Sequence, residues 1–326
     1  RTMTYLLFGH RGWIGGKLIQ LLEESGEKYA LAQCRLEDRR GIYEEIQKHN
    51  PKYVLNSAGV TGRPNVDWCE DHKQETLRSN VIGTMTLVDV CYEFGIHVTN
   101  FATGCIYSYD PENMEYEFTE EDPPNFDGSF YSKTKGVVEG LLRNYPNLLT
   151  LRLRMPISDD LHERNFITKI TKYSRVVDIP NSMSVLSDLL PVALKMTRGE
   201  IKGVFNFVNP GVISHNEILD LYVRYIDPTF RYVNFTEEEQ DKILKARRSN
   251  NHLCTDKMTS LYPDIPHIQD SMVEVFKRMH EGMRNKRRRR GYRNPEEREE
   301  EVEKGKARTH TLSRALDDLL DESVTS

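Results

Sequence analysis

The chain alternates between short apolar runs and longer stretches in which apolar residues recur every three or four positions. The runs are typical of strands buried on both faces of a parallel sheet, and the stretches predict amphipathic helices. This alternation predicts an α/β fold with a doubly wound parallel sheet, and a final strand that returns to the sheet after a second, smaller lobe. The predicted strands are residues 4–8, 29–34, 53–56, 98–102, 148–156 and 204–208.

A glycine-rich turn follows the first predicted strand directly, and a helical pattern begins at once behind it. The spacing G-x-x-G-x-x-G lets the backbone approach a pyrophosphate, while the helix N-terminus supplies amide donors and a positive dipole. A strand–helix turn without a ligand is the alternative, but the position after the first strand favours a Rossmann-type dinucleotide site. The predicted contacts in this turn are Gly9, Arg11, Gly12, Trp13, Ile14 and Gly15.

Two arginines predict which dinucleotide this site takes. The position after the second strand normally carries an acid that binds a ribose hydroxyl of NAD. Arg35 stands there instead, and Arg11 lies inside the glycine turn. Two guanidinium groups suit a 2′-phosphate, so the predicted cofactor is NADP(H); a pair of ordinary surface arginines is the alternative.

Later segments add candidates for the same site. The third strand ends in Asn56-Ser-Ala58-Gly59, which puts small residues where the dinucleotide lies against the chain. Asn80 in the next helix is a candidate buried group bracing the site, and Pro156 ends a strand expected to lie against the nicotinamide. We therefore predict cofactor contacts at Asn56, Ala58, Gly59, Asn80 and Pro156, and also at Tyr131 and Lys135 of the later chain.

A Tyr and a Lys four residues apart indicate carbonyl chemistry. Tyr131 and Lys135 share one face of a predicted helix, so the ammonium is expected to lower the pKa of the phenol and make it a proton donor near neutral pH. Thr103 ends a predicted strand, and its hydroxyl is placed to bond the same substrate oxygen. The three residues predict a carbonyl-reduction site, with an unremarkable helix-surface pair as the alternative.

These motifs occur in the order and spacing of the extended short-chain dehydrogenase/reductases, which this chain resembles over residues 4 to about 283. Within that family, Gly-Arg-Pro-Asn-Val-Asp-Trp-Cys-Glu at 62–70 and the segments 100–107, 128–135 and 164–169 are similar to the UDP-4-keto-6-deoxyglucose 3,5-epimerase/4-reductases. The resemblance implies a bifunctional enzyme that inverts two carbons beside a C4 ketone, reduces the ketone with NADPH and forms UDP-L-rhamnose. The glycine turn also resembles that of GDP-fucose synthase.

Each inversion needs a base on one face of the sugar and an acid on the other. Cys105 lies two residues beyond Thr103, so both side chains point the same way on an extended strand end. In fucose synthases a Cys at this place transfers the proton. The resemblance favours Lys169 as the partner acid, with His162 in reserve; an inert buried Cys and a solvated Lys are the alternatives.

Five residues are expected to contact the nucleotide sugar. Arg63 and Asn65 lie in a loop rich in turn-forming residues, which suits a cover over an active site. Arg248 belongs to a basic loop suited to a diphosphate. By their place in the family pattern, Asn165 and Asn181 are candidates for lining the sugar cleft, although Asn181 equally suits a turn.

The composition narrows the class of protein. A formal net charge of -5 gives no general case for nucleic acid. Five cysteines are odd in number and form no C-x-x-C pair, which predicts reduced thiols and no metal site. No run approaches the roughly 18 apolar residues of a membrane helix, and no leader pattern precedes the first strand, so we expect a cytoplasmic protein without membrane contact.

The predicted organisation has three parts. Residues 1–156 form an NADP-binding Rossmann domain, 157–283 a nucleotide-sugar lobe, and 284–326 a charged tail whose basic and acidic blocks predict disorder or a single exposed helix. Apolar helices near 86–94 and 133–142 could pair in a homodimer.

Two other functions stay open at this stage. One is a related epimerase/reductase that takes a GDP- or dTDP-sugar, and a competition test between nucleotide sugars separates these. The other is a non-catalytic NADP-binding regulatory subunit, which the presence of Cys105, Tyr131 and Lys135 disfavours.

Overall fold

The structure, a computed structural model, describes residues 4–110 and 112–291, with side chains up to residue 285. The strands are β1 (Tyr5–Phe8), β2 (Tyr29–Leu31), β3 (Tyr53–Asn56), β4 (His97–Thr103), β5 (Glu117–Phe118), β6 (Leu148–Leu153), β7 (Arg175–Val176), β8 (Gly203–Asn206), β9 (Val233–Asn234) and β10 (His252–Leu253). The helices are α1 (Trp13–Glu24), α2 (Arg39–His49), α3 (Trp68–Asp71), α4 (Lys73–Leu77), α5 (Thr84–Glu93), α6 (Phe130–Leu142), α7 (Phe166–Ile170), α8 (Leu186–Arg198), α9 (His215–Tyr225), α10 (Glu237–Asp241), α11 (Asp256–Leu261) and α12 (Ile268–Gly291), with a π-helical segment at Arg78–Gly83 between α4 and α5.

The main sheet is parallel and has the strand order β2-β1-β3-β4-β6-β8. The chain passes from β1 to β2 on one side and then crosses to β3 on the other side of β1. A crevice at such a topological switch point, outside the carboxyl ends of the strands, is the usual ligand site of this fold. The predicted α/β doubly wound fold is confirmed, and β8, the final strand of the main sheet in chain order, returns to it as predicted.

Two apolar layers cover the sheet because alternate residues of each buried strand point to opposite faces. Tyr5 and Leu7 of β1 pack with residues of α1 and α8, whereas Leu6 and Phe8 pack with residues of α2, α5 and α6. Each fully buried Leu or Phe contributes about 1.5–3 kcal/mol to stability. Helix α6, which carries the predicted catalytic pair, is thereby seated on the sheet beside the end of β4.

The later chain adds two small parallel sheets, β5 with β10 and β7 with β9. The chain divides into two compact units, Arg1–Phe276 and Lys277–Ser326. The division of the first unit at residue 156 stays a prediction. Residues 284–291 of the predicted charged tail belong to helix α12, and the rest of the tail lies outside the described residues. None of the helices in the described ranges is both long and apolar enough to cross a membrane.

The helices proposed to pair in a homodimer each leave apolar side chains in solvent. Tyr92 of α5 and Val137 and Leu141 of α6 are at least half exposed. Such faces are compatible with association, and the homodimer stays a prediction.

Candidate active site

A cavity of about 600 Å³ lies at the carboxyl ends of the strands and extends toward the later chain. Its described wall carries no Asp or Glu, although the whole chain is acidic. Six basic side chains contribute to it: Lys135, Arg164, Lys169, Arg175, Arg247 and Arg248. A wall with one sign of charge focuses the field on the cavity, which therefore suits an anionic ligand.

All five residues predicted to be catalytic line this cavity. Thr103 ends β4, Cys105 follows it, and Tyr131 and Lys135 lie in the first two turns of α6. The Tyr131 phenol is in hydrogen-bonding range of the Thr103 hydroxyl, and Lys135 Nζ lies 5.9 Å from the centre of the Tyr131 ring. Lys169 enters from α7 on the other part of the wall.

Helix α6 is held by contacts from distant parts of the chain. The Ser129 side chain caps it by accepting from the backbone N–H of Ser132, and Glu70 accepts from the N–H of Phe130 at 2.6 Å. Within the helix, Glu139 forms a buried ion pair of 2.5 Å with Arg152 of β6. Loss of one partner of a buried pair typically costs about 3–5 kcal/mol, so this pair strongly fixes the helix against the sheet.

The predicted effect of Lys135 on Tyr131 is wrong for this structure. Burial raises the pKa of the Tyr131 phenol, and the neighbouring Cys105 raises it further, while the Thr103 hydrogen bond lowers it. Burial also lowers the pKa of Lys135 to about 8, and Cys69 and Glu139 partly oppose this. Desolvation disfavours the charged forms of both side chains, so Tyr131 keeps its proton at neutral pH.

The two candidates for the epimerisation acid lie in different environments. Burial lowers the pKa of Lys169, and Arg164 lowers it further, whereas Cys105 raises it. His162 is exposed, stacks on Trp13 with 5.3 Å between ring centres, and its Nδ1 accepts from the N–H of Arg164. Lys169 therefore belongs to the cavity wall, and His162 is outside it.

The glycine turn packs too tightly for side chains. Gly9 has φ +81°, and a Cβ built on it would lie 2.3 Å from the backbone nitrogen of Ala58. A Cβ on Gly15 would lie 2.3 Å from the carbonyl oxygen of Gly9. Helix α1 begins at Trp13 with Gly12 as a cap that has no side chain, so its first N–H groups face the turn. The arrangement fits a dinucleotide pyrophosphate.

The other predicted cofactor residues divide into wall and support. Asn56 donates to Asn100 at 2.8 Å and accepts from the N–H of Ala58. Asn80 both accepts from and donates to the backbone of Val60. These two asparagines hold the loop after β3 rather than line the cavity. The predicted cofactor residues in the wall are Gly12, Trp13, Ile14, Ala58, Gly59 and Pro156, besides Tyr131 and Lys135.

Arg11 and Arg35 are exposed and lie beyond the cavity wall. They follow β1 and β2, which are neighbours in the parallel sheet, so both belong to the same edge. Arg35 pairs with Glu37 at 2.7 Å. This edge is where the adenosine half of a dinucleotide lies in such folds.

Five residues besides Thr103 were predicted to contact the sugar. Of these, Asn65 and Arg248 line the cavity and the other three do not. Arg63 is exposed and pairs with Glu163 at 3.3 Å. The prediction for Asn165 is corrected by its position: it is fully buried, caps α7 and donates to the carbonyls of Ser158 and Asp160. Its polar atoms are used by the protein.

Asn181 is likewise a bracing residue rather than a wall residue. It is fully buried, accepts from Arg154 at 2.6 Å and from the N–H of Asn251 at 2.9 Å, and donates to Asn250 at 3.0 Å. The segment around Asn181 is thus tied to the loop that carries Arg248.

The sequence analysis did not predict three residues that are functional candidates in the structure. Buried Arg154 donates to Ser249 and Asn181 and joins the strand end to two later segments. Arg164 donates to Thr61 at 2.5 Å and lines the cavity. His215 also lines it. Partners 27 to 103 residues apart leave no local signal, although a charged residue at the end of a buried strand could have marked Arg154.

No group of three or more His, Cys, Asp or Glu in the described ranges could hold a metal ion, and the five cysteines are free. The glycine turn at the switch point and the Thr, Tyr and Lys around one cavity define an oxidoreductase of the short-chain dehydrogenase/reductase class. Residues 3–279 match the model of the RmlD substrate binding domain family. The chain belongs to this family, which confirms the predicted resemblance.

Curated relatives and a solved structure agree with this assignment. The chain is 53% identical over 277 residues to a bifunctional dTDP-4-dehydrorhamnose 3,5-epimerase/dTDP-4-dehydrorhamnose reductase of Arabidopsis thaliana, covering 84% of this chain and 92% of the relative. It is also 53% identical to a trifunctional UDP-glucose 4,6-dehydratase/UDP-4-keto-6-deoxy-D-glucose 3,5-epimerase/UDP-4-keto-L-rhamnose-reductase of the same plant, of which it spans 41%, again with 84% of this chain. A UDP-rhamnose synthase of Acanthamoeba polyphaga mimivirus superposes with a TM-score of 0.82 at 41% identity, covering 85% of this chain and 100% of that one.

Proposed function

We propose that this protein is an NADPH-dependent 4-keto-reductase of a nucleotide 6-deoxy-sugar that also inverts C3 and C5, with UDP-4-keto-6-deoxyglucose as substrate and UDP-L-rhamnose as product. The observation that carries the proposal is the joint presence of Thr103, Cys105, Tyr131 and Lys169 in one basic cavity. The names of the similar proteins support the same class of substrate.

The residues present fit a bound NADPH. Gly9 and Gly15 leave room for the pyrophosphate, and Arg11 and Arg35 supply positive charge for the 2′-phosphate. When bound, NADPH supplies the hydride for C4 of the sugar. Tyr131 donates its proton to the oxygen at C4, and Thr103 hydrogen-bonds that oxygen. Lys135 lies beside the phenol and lines the same wall.

The two inversions use Cys105 and Lys169 of the same wall. Cys105 acts as the base that removes the proton from the carbon beside the C4 ketone, and the negative oxygen that forms accepts hydrogen bonds from Thr103 and Tyr131. Lys169 then gives a proton to the opposite face of that carbon. Because its pKa is lowered, Lys169 releases a proton more readily than an exposed lysine does. One pair serves both carbons if the sugar turns between steps.

The decisive experiment is incubation with UDP-4-keto-6-deoxyglucose and NADPH in heavy water, with the product analysed by NMR. We expect a rhamnosyl product that carries deuterium at C3 and C5. A reduced sugar without deuterium would establish a reductase alone, and absence of turnover would favour the regulatory subunit. Parallel reactions with the dTDP- and GDP-sugars test the choice of nucleotide.

Arg11→Ala is expected to raise the KM for NADPH about tenfold and that for NADH less than twofold, because only NADPH carries the phosphate that a guanidinium would bind. Steady-state kinetics with both dinucleotides check this. Arg198→Ala is the control, since that arginine pairs with Glu27 near the amino ends of the strands. An unchanged NADPH preference would remove Arg11 from the site.

Asp67→Asn is expected to raise the KM for the nucleotide sugar about three- to tenfold with little change in kcat. Asp67 accepts from Arg248 at 2.8 Å in a half-buried pair, and we propose that it orients this guanidinium toward the diphosphate. Asp71→Asn is the matched control, because Asp71 pairs with Lys245 of the same loop but both side chains are exposed. An equal effect of the two changes would indicate loop stability instead.

A further inference from the structure

His215 is a buried imidazole in the wall of the cavity. It has no role in the proposed mechanism. Only 9% of the residue is exposed, its Nδ1 is buried without a hydrogen-bond partner, and the ring lines the cavity. An edge-to-face contact with Phe166 of α7, at 5.2 Å between ring centres, fixes the ring. Nε2 is not enclosed in this way, so it is the ring nitrogen that can reach a ligand in the cavity.

His215 is also the first residue of α9, an 11-residue helix. The N-terminus of a helix carries partial positive charge and free N–H groups that favour anions. Ser214 and Glu217 form a capping box there, which occupies the Ser214 backbone N–H and leaves the imidazole toward the cavity.

The N-terminus of α9 is linked through Asn181 to the loop that carries Arg248. Ile213, two residues before His215, exchanges two backbone hydrogen bonds of 3.1 Å with Asn181. Asn181 in turn bonds Asn250 and Asn251. Asn181 therefore connects the segments that carry His215 and Arg248, which are more than 30 residues apart in the sequence. Both residues line the cavity.

Burial favours a neutral His215 ring. Burial lowers the pKa of His215 to about 4; Arg154 lowers it further and Asp178 opposes them. At neutral pH the ring therefore has one N–H to donate and one nitrogen that accepts. A neutral donor in a wall that otherwise contributes arginines and lysines can bond an anionic oxygen without adding to the charge repulsion between cations.

We propose that His215 is a substrate-contacting residue that donates its ring N–H to the diphosphate of the nucleotide sugar, opposite Arg248. The inference rests on the proposed function, since it takes the nucleotide sugar as the ligand. It assigns the contact to the diphosphate, which all nucleoside diphosphates share, and therefore does not depend on the base.

The test is direct binding of UDP, dTDP and GDP, and of uridine in competition, to the full chain and to His215→Phe and His215→Gln. At least one of UDP, dTDP and GDP is expected to bind the unaltered protein, and we expect His215→Phe to weaken that binding by about tenfold or more. The affinities for uridine and NADPH should be unchanged. His215→Gln keeps an N–H donor and is expected to recover most of the affinity. In turnover, KM should rise while kcat changes little.

His97→Phe is the matched control. His97 is also a buried imidazole whose two ring nitrogens have no partner, and burial likewise lowers its pKa to about 4, but it lies outside this cavity. A loss of affinity that the His97 variant shares, or unchanged UDP affinity in both His215 variants, would overturn the contact. Binding of GDP instead of UDP would correct the proposed substrate and leave this contact supported, whereas failure of all three diphosphates to bind the unaltered protein would overturn both.

Discussion

Tyr131→Phe is expected to lower kcat for reduction of the 4-ketone by about 10²- to 10⁴-fold, the usual contribution of a general acid. The change removes only the hydroxyl, which is in range of Thr103 and is kept protonated by burial. Exchange of the sugar protons with heavy water should continue at a reduced rate, because Thr103 still bonds the ketone oxygen. NADPH oxidation and NMR of recovered substrate measure the two steps separately.

Tyr107→Phe is the control for this substitution. Tyr107 is also a buried tyrosine, but its hydroxyl donates to the backbone carbonyl of Asp122 and not into the cavity. Loss of the Tyr107 hydroxyl should lower the free energy of unfolding by about 0.5–1.5 kcal/mol and leave kcat unchanged. Equal losses of reduction in the two variants would mean that Tyr131 acts through packing and is not the proton donor.

Cys105→Ala is expected to lower proton exchange at C3 and C5 by about 10²- to 10⁴-fold, because it removes the proposed base. Reduction of a 4-ketosugar that needs no inversion should persist, since Tyr131, Thr103 and Lys135 are intact. We expect exchange and reduction to be affected separately because Cys105 lines the cavity together with Lys169, the proposed partner acid. Deuterium incorporation and NADPH oxidation are the two readouts.

Cys34→Ala provides the comparison for a thiol outside the site. Burial raises the pKa of Cys34 to about 11, and the nearby Glu45 and Asp38 add to the shift, so this thiol stays protonated. Its removal should change neither readout. If Cys105→Ala abolishes reduction and exchange together, the thiol has a structural role and the division of labour in the cavity is wrong.

The positions of the wall residues were predictable because they depend on the backbone. The apolar runs indicated which strands are central, and carboxyl ends of parallel strands meet at one edge. Gly12 of the glycine turn, Thr103 at the end of β4, and the pair Tyr131 and Lys135 on one helix face could therefore be placed together from the sequence.

The amino-acid sequence by itself determined the sheet, the glycine turn and the family, since local periodicity and motif spacing are properties of the chain. The tertiary structure alone decided the protonation of the site. Burial raises the pKa of the Tyr131 phenol, which was expected to be lowered, and lowers that of Lys169. The fold also puts Lys169 in the cavity wall and His162 outside it. It also decided that Asn181 braces the wall and that His215 faces the cavity. Desolvation and long-range hydrogen bonds depend on what packs around a side chain, and the neighbours along the chain do not specify it.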